Sequence, residues 1–240
     1  LRYNCVSFHI LKYMKKFIFS IAIFFFFYAQ SFSHVEHYKD FNYLEYELFR
    51  NNKSIGFHKY EFSRDGDNLS IKSEVSFKIT KLGVDLYKYF AKSEENYSKG
   101  FFASYSSKTK QNKKDRYVNI EVDPSDKNLI IDGSSYKGKA NKDFIVGTWW
   151  NHEIIRAKAQ ISGISGRIIE QTVTFLGKEE VQIGDKLYKT LHFNFKSSDE
   201  TLPDSKKLNT DIWYQEETYL WVKAAFEKTG YWEYRIKKVN

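Results

Sequence analysis

Leu69-Ser70-Ile71-Lys72-Ser73-Glu74-Val75-Ser76-Phe77-Lys78-Ile79 is the stretch that decides the fold. Leu69, Ile71, Val75, Phe77 and Ile79 share one side, and Ser70, Lys72, Glu74, Ser76 and Lys78 share the other. A period of two with β-branched and aromatic residues predicts a strand with one buried and one wet face. Upstream, Asp65-Gly66-Asp67-Asn68 supplies the positive φ of a tight hairpin and joins this strand to one over residues 57–64. Before that, Asn51-Asn52-Lys53-Ser54 turns residues 41–50 into the same neighbour, which makes a three-strand meander. Downstream, strands are expected over 84–97, 101–110, 117–122, 129–131, 167–176, 188–196, 211–214, 219–228 and 231–237.

Roughly a dozen strands at regular spacing predict an all-β fold: a single antiparallel, strongly curved sheet or partly open barrel. One short helix is expected within residues 148–157, with Thr148 as its N-cap. There is no linker of low complexity and no internal repeat, so residues 34–240 are expected to form a single β-rich domain. Strands such as 42–49 and 84–90 carry large apolar groups on both faces, where a sheet on water needs only one. Either the second face is covered by another element, or a curved sheet encloses an apolar hollow.

Residues 14–33 have the form of a signal peptide: Met14-Lys15-Lys16, twelve apolar residues at 17–28, then small residues at Ala29, Ser31 and Ser33. The apolar run is shorter than the ~20 residues that span a bilayer as a helix. Cleavage is expected after Ser31 or Ser33, and residues 1–13 are expected to be a start placed too early. Export implies a periplasmic location and no membrane span once the leader is removed. The single Cys, Cys5, precedes the leader, so the exported chain is expected to have no disulfide.

The chain carries 38 Lys+Arg against 30 Asp+Glu, a net charge of +8. Four of those cations and none of the acids lie in residues 1–33, so the remainder is +4. Lys far outnumbers Arg, whereas base and phosphate recognition favours the bidentate Arg fork, so nucleic acid is not an expected partner. The cluster at 108–116 is expected to cap a hairpin in water.

Residues 42–64, with the turn Asn51-Asn52-Lys53-Ser54-Ile55-Gly56 leading into a strand, resemble an exported bacterial family known only as domain of unknown function 6134. Tyr87-Lys88-Tyr89, Gly147-Thr148-Trp149-Trp150-Asn151, Phe175-Leu176-Gly177-Lys178-Glu179 and Asp211-Ile212-Trp213-Tyr214 fall where its other marks stand. The closing section, with residues 220–227, is also similar to the broader exported β-rich family 3108. The resemblance implies a Gram-negative envelope protein with a β-rich fold, and it implies no catalytic residue.

No Gly-x-Ser-x-Gly elbow, His-Glu-x-x-His pair or phosphate loop is present, so no catalytic residue is assigned and no cofactor is expected. An enzyme would require His58, His152 or His192 to meet an acid such as Glu153 or Asp211 in one cleft. His34 and His37 are a candidate copper-chelating pair at a new N-terminus, but lack a third ligand, and no metal site is assigned. Trp149-Trp150-Asn151-His152 is the densest chemical signal: two indoles offer apolar area beside an amide and an imidazole that orient a ligand. The alternative for these rings is a core plug. The leading expectation is a non-catalytic binder of a lipid or other apolar or amphipathic molecule. A structural partner of another envelope protein is the second. Oligomeric state is left open.

Overall fold

The computed structural model describes residues 38–240. The leader, the early start and the His34/His37 pair lie outside the described residues. The alternation at 69–79 sits inside a longer strand, the third of an eight-strand meander. Its members are β1 (Tyr43–Arg50), β2 (Lys53–Asp65), β3 (Asn68–Lys81), β4 (Val84–Ser98), β5 (Phe101–Gln111), β6 (Lys114–Val122), β7 (Leu129–Gly133) and β8 (Lys137–Ala140). The second half comprises β9 (Ile145–Val146), β10 (Ala159–Ile161), β11 (Ile168–Ile183), β12 (Lys186–Ser197), β13 (Asn209–Gln215), β14 (Trp221–Glu227) and β15 (Tyr231–Val239).

All fifteen strands form one sheet in the order β8-β7-β6-β5-β4-β3-β2-β1-β15-β14-β13-β12-β11-β10-β9. The meander halves are joined by antiparallel pairing of β1 with β15, in which Leu48 opposes Tyr234 and Arg50 opposes Trp232. That seam lies at the centre of the sheet. The sheet is not closed, because β8 and β9 are its two edges. No helix among the described residues is long and apolar enough to cross a membrane.

Four details differ from the sequence expectation. There are fifteen strands rather than a dozen, because β8, β9 and β10 have only four, two and three residues, too few to display a period. The sheet is mixed, since β9 and β10 pair in parallel. The expected helix is a single 3₁₀ turn, His152–Ile155, capped by Asn151 rather than Thr148. Trp149 at φ +41 breaks any helix entering from Thr148. β11 also runs through Gly177 to Ile183; the glycine, at φ +137, is the site of a register shift and not a strand end.

The core has two parts. Leu44, Tyr46 and Leu48 of β1 are fully buried with Tyr60, Ile71, Phe195, Ile212, Tyr214 and Trp221. Tyr105, Val118, Ile120, Ile131 and Ile161 form the second cluster. Between them the irregular segment 147–164 lies against the inner face of the sheet. It has few ladder partners, so its carbonyls need donors from elsewhere. Tyrosine hydroxyls supply them: Tyr60 donates to the Thr148 carbonyl at 3.0 Å, Tyr214 to Trp149 at 2.8 Å and Tyr105 to Gly163 at 3.1 Å. The tail of this segment reaches the other half, where the Ser135 N–H donates to the Ser165 carbonyl at 2.9 Å. Gly133 permits that approach, since a Cβ there would stand 2.5 Å from the Ser165 oxygen.

On the two-faced strands, the outer side of β4 is left open: Val84, Leu86 and Phe90 are 61%, 55% and 43% exposed. Neither a covering layer nor a hollow accounts for these three.

Candidate functional site

β2, β3, β4 and β5 turn His58, Tyr60, Ser73, Val75, Tyr89, Ala91 and Thr109 onto the inner face. With Trp149, Ile169 and Tyr234 opposite, they line a cavity of about 220 Å³. Strand alternation places each of them: His58 and Tyr60 are two apart on β2, Ser73 and Val75 on β3, Tyr89 and Ala91 on β4. The wall is mostly aromatic and hydroxylic, and no carboxylate or amine is among its lining residues.

His58 is the polar centre of this wall. Its Nε2 lies 2.8 Å from Ser73 Oγ, and its ring packs on Tyr60 with centroids 4.3 Å apart. Burial lowers its pKa to about 3, so the ring is neutral in ordinary buffers. Its Nδ1 is out of solvent and has no hydrogen-bond partner in the protein. Trp149 Nε1 is in the same condition. The Trp149 ring stands edge-on to Trp221 and Tyr234, with centroids at 5.3 and 5.5 Å. Two buried ring nitrogens without partners, on residues that line one cavity, are a departure from the usual pairing of buried polar groups.

The neutral His58 ring has a direct thermodynamic signature. A base whose pKa is lowered by folding contributes stability that is complete above 6.5 and is lost as pH falls from 6.5 toward 3. The expected loss is about 3 kcal/mol, less than the roughly 5 kcal/mol of a fully enclosed ring, because the residue is only partly buried. Denaturant melts across this range, compared with His58→Asn, measure it; a variant as acid-sensitive as the parent would show that His58 is not responsible.

The structure separates the four residues Trp149, Trp150, Asn151 and His152. Trp149 lines the cavity. Trp150 points into the core at 1% exposure, and its Nε1 donates to Glu95 Oε2 at 2.9 Å. Asn151 accepts from the Glu153 N–H at 3.1 Å and donates from Nδ2 to the Tyr97 hydroxyl at 3.1 Å. His152 is buried against Tyr219, with centroids 4.7 Å apart, and its Nε2 is 3.4 Å from Glu153.

Glu95, which the sequence reading passed over, organises this neighbourhood. It is 2% exposed and accepts from Tyr97 OH at 2.6 Å, Thr148 Oγ1 at 3.1 Å and Trp150 Nε1. Burial raises its pKa, and the three donors oppose that rise. The missed signal was phase: Tyr89, Ala91, Ser93, Glu95 and Tyr97 are the inward positions of β4, so an acid there had to be buried and bonded.

His192 lies elsewhere, on the face of β12 opposite Phe193 and Phe195. Its Nδ1 is 3.0 Å from Glu179, its Nε2 is 3.3 Å from Asp211, and it stacks on Trp213 at 4.2 Å. No group of three or more metal-ligating side chains is found among the described residues. A broader depression of about 710 Å³ lies over β2–β6, lined by residues that include Lys59, Lys72, Lys92, Glu61, Glu74 and Glu94. With Lys108 it has four lysines against three glutamates, and pairs such as Lys92–Glu74 at 3.3 Å offset most of that charge, so it offers a ligand less than the inner cavity does.

A serine beside a histidine invites comparison with a hydrolytic pair. Burial depresses the basicity of His58, and no acid stands on its other nitrogen, so the pair lacks the orienting third group of a hydrolytic triad.

The crystal structure of a β-barrel-like protein of domain of unknown function DUF1849 from Brucella abortus shares the fold. Its TM-score is 0.56 at 11% identity, covering 82% of this chain and 96% of that one. A DUF1329 family protein from Desulfovibrio piger aligns over 87% and 90% of the two chains at 9% identity, but with a TM-score of 0.25 it carries no argument. No curated protein matches the chain. The model of a domain of unknown function, DUF6134, matches residues 46–237, and the chain belongs to that family.

Proposed function

We propose that this is an exported, periplasmic binding protein without catalytic activity, and that its ligand is a small amphipathic molecule held in the inner cavity. The observation that carries the reading is the pairing of an aromatic and hydroxylic lining with the unpartnered Nδ1 of His58 and Nε1 of Trp149. A ligand with an aromatic or aliphatic body and one or two polar atoms would satisfy both. At about 220 Å³ the space is below the ~300 Å³ at which drug-sized pockets begin, which favours a compact molecule or the end of a chain over a whole diacyl lipid. Export is supported by the pattern of residues 14–33.

Native mass spectrometry of protein isolated gently from its own host tests the proposal. The expected result is one bound species smaller than a diacyl lipid, displaced or weakened roughly tenfold by His58→Phe, in keeping with the loss of one buried hydrogen bond. A protein that emerges free of any ligand, and whose Trp fluorescence does not respond to a host small-molecule extract, would rule out the reading.

A further inference from the structure

The β3–β4 hairpin ends in Lys81-Leu82-Gly83-Val84-Asp85-Leu86. Leu82 is 94% exposed, and it occupies the first position of a two-residue turn at φ +51, followed by Gly83 at φ +79. Such turns favour Asn or Asp before Gly, and a branched apolar residue in this conformation is disfavoured. The other tight turns carry Asn, Gly or, once, Lys at this first position: Asn51-Asn52, Gly66-Asp67, Lys99-Gly100, Asn112-Lys113 and Gly184-Asp185. Here alone among them a leucine stands at the tip, with Val84 and Leu86 beside it. Exposure of all three to water and a disfavoured backbone angle both count against the arrangement.

The charge around this tip is as uneven as its hydrophobicity. The hairpin carries Lys78, Lys81 and Lys88 against Asp85. The neighbouring β5–β6 turn, held to it by the Asn112 N–H donating to the Lys88 carbonyl at 2.8 Å, carries Lys110, Lys113, Lys114 and Arg116 against Asp115. Asp85 is itself paired with Lys88 at 3.1 Å. Residues 38–240 hold 34 Lys+Arg and 29 Asp+Glu, a net +5, and seven cations against two acids at this end account for all of it. The rest of the described chain is electrically balanced.

An apolar point inside a basic collar matches a bilayer bearing anionic headgroups: acyl chains accept the leucines while phosphates meet the lysines. We infer that the β3–β4 tip docks this protein on an anionic membrane surface. The inference is independent of what occupies the inner cavity. It also accounts for the open outer face of β4, where Phe90 continues the apolar row beyond Leu86.

A dye at the tip tests this directly in the full chain. Residues 17–28 are apolar enough to bind vesicles themselves, so the readout must be local. Cys5→Ser with Val84→Cys, labelled with an environment-sensitive fluorophore, is mixed with phosphatidylglycerol-containing vesicles or with pure phosphatidylcholine. The expected result is a blue shift on the anionic vesicles only, lost in ~1 M salt, where screening acts within about 3 Å. Lys113→Glu with Lys114→Glu weakens the response at least about tenfold. Leu82→Asn with Leu86→Thr weakens it similarly while giving the turn its preferred Asn-Gly pair, so misfolding does not explain the loss. No shift on anionic vesicles, an equal shift on phosphatidylcholine, or an equal shift from a dye at Asp185→Cys would overturn the inference. A dye silent toward lipid but shielded by a co-purifying protein would overturn it in favour of a protein partner.

Discussion

Gly56→Ala is expected to destabilise the protein by about 3 kcal/mol, among the largest effects of a single methyl group in this fold. A Cβ at position 56 would lie 2.1 Å from the Ser76 carbonyl oxygen and 2.5 Å from Phe77 Cβ. The first of these is backbone of the paired strand, so no side-chain rotation relieves the clash. β2 must move away from β3 beside the register shift at Leu48/Phe49. Gly66→Ala is the control: it has open space around it but sits at φ +55, and about 1 kcal/mol is expected from the dihedral alone. Urea melts separate the two, through a large fall in midpoint for position 56 and a small one for position 66. Equal shifts would show that packing at position 56 relaxes freely.

Glu95→Ala is the second large effect, at about 4 kcal/mol. The substitution removes the acceptor of three hydrogen bonds and leaves Trp150 Nε1 buried with nothing to donate to. Glu95→Gln keeps the shape and one acceptor oxygen but turns an N–H₂ group toward donors, and about half that loss is expected. Trp150→Phe made in the Glu95→Ala background should cost less than in the parent, because the bond it deletes is already gone. Additive losses would mean that the carboxylate and the indole act separately.

The pH dependence of the Glu95 contribution has the opposite sign to that of His58. Folding raises the Glu95 pKa above its ordinary 4.5, so its contribution is complete below 4.5 and is lost as pH rises through the folded value. Glu95→Gln removes that slope, and melts between about pH 4 and pH 8 read it. A profile unchanged by the substitution would place the titration elsewhere.

Much of the sheet was legible because its strands are long and one-sided. The alternation at 69–79 and the Asp-Gly, Asn-Asn and Lys-Gly turns locate β1 to β5 within a few residues. Gly56 has a physical reason in the close approach of β2 and β3. What period and turn chemistry cannot encode is the path of a segment with neither. Residues 147–164 take their conformation from tyrosine hydroxyls and a carboxylate that are distant in sequence, as with Tyr214 and Trp149 or Glu95 and Trp150. Adjacent residues there are sent to different surroundings, Trp149 to the cavity wall and Trp150 to the core, which a run of four letters does not reveal. His58 reads as an ordinary strand residue, since its importance rests on the nitrogen that no neighbour reaches.

The seam between β1 and β15 has a consequence for how the molecule is made. Contacts across it join residues as far apart as Leu44 and Val239, 195 positions along the chain. Each half can assemble from pairings between chain neighbours, but the two lack a common middle until residues 231–239 are in place. Loss of those few residues would split the sheet at its centre instead of trimming a border. Until β15 pairs with β1, each half presents an unpaired strand edge that invites wrong partners, so the zip across the centre is expected to come late in folding.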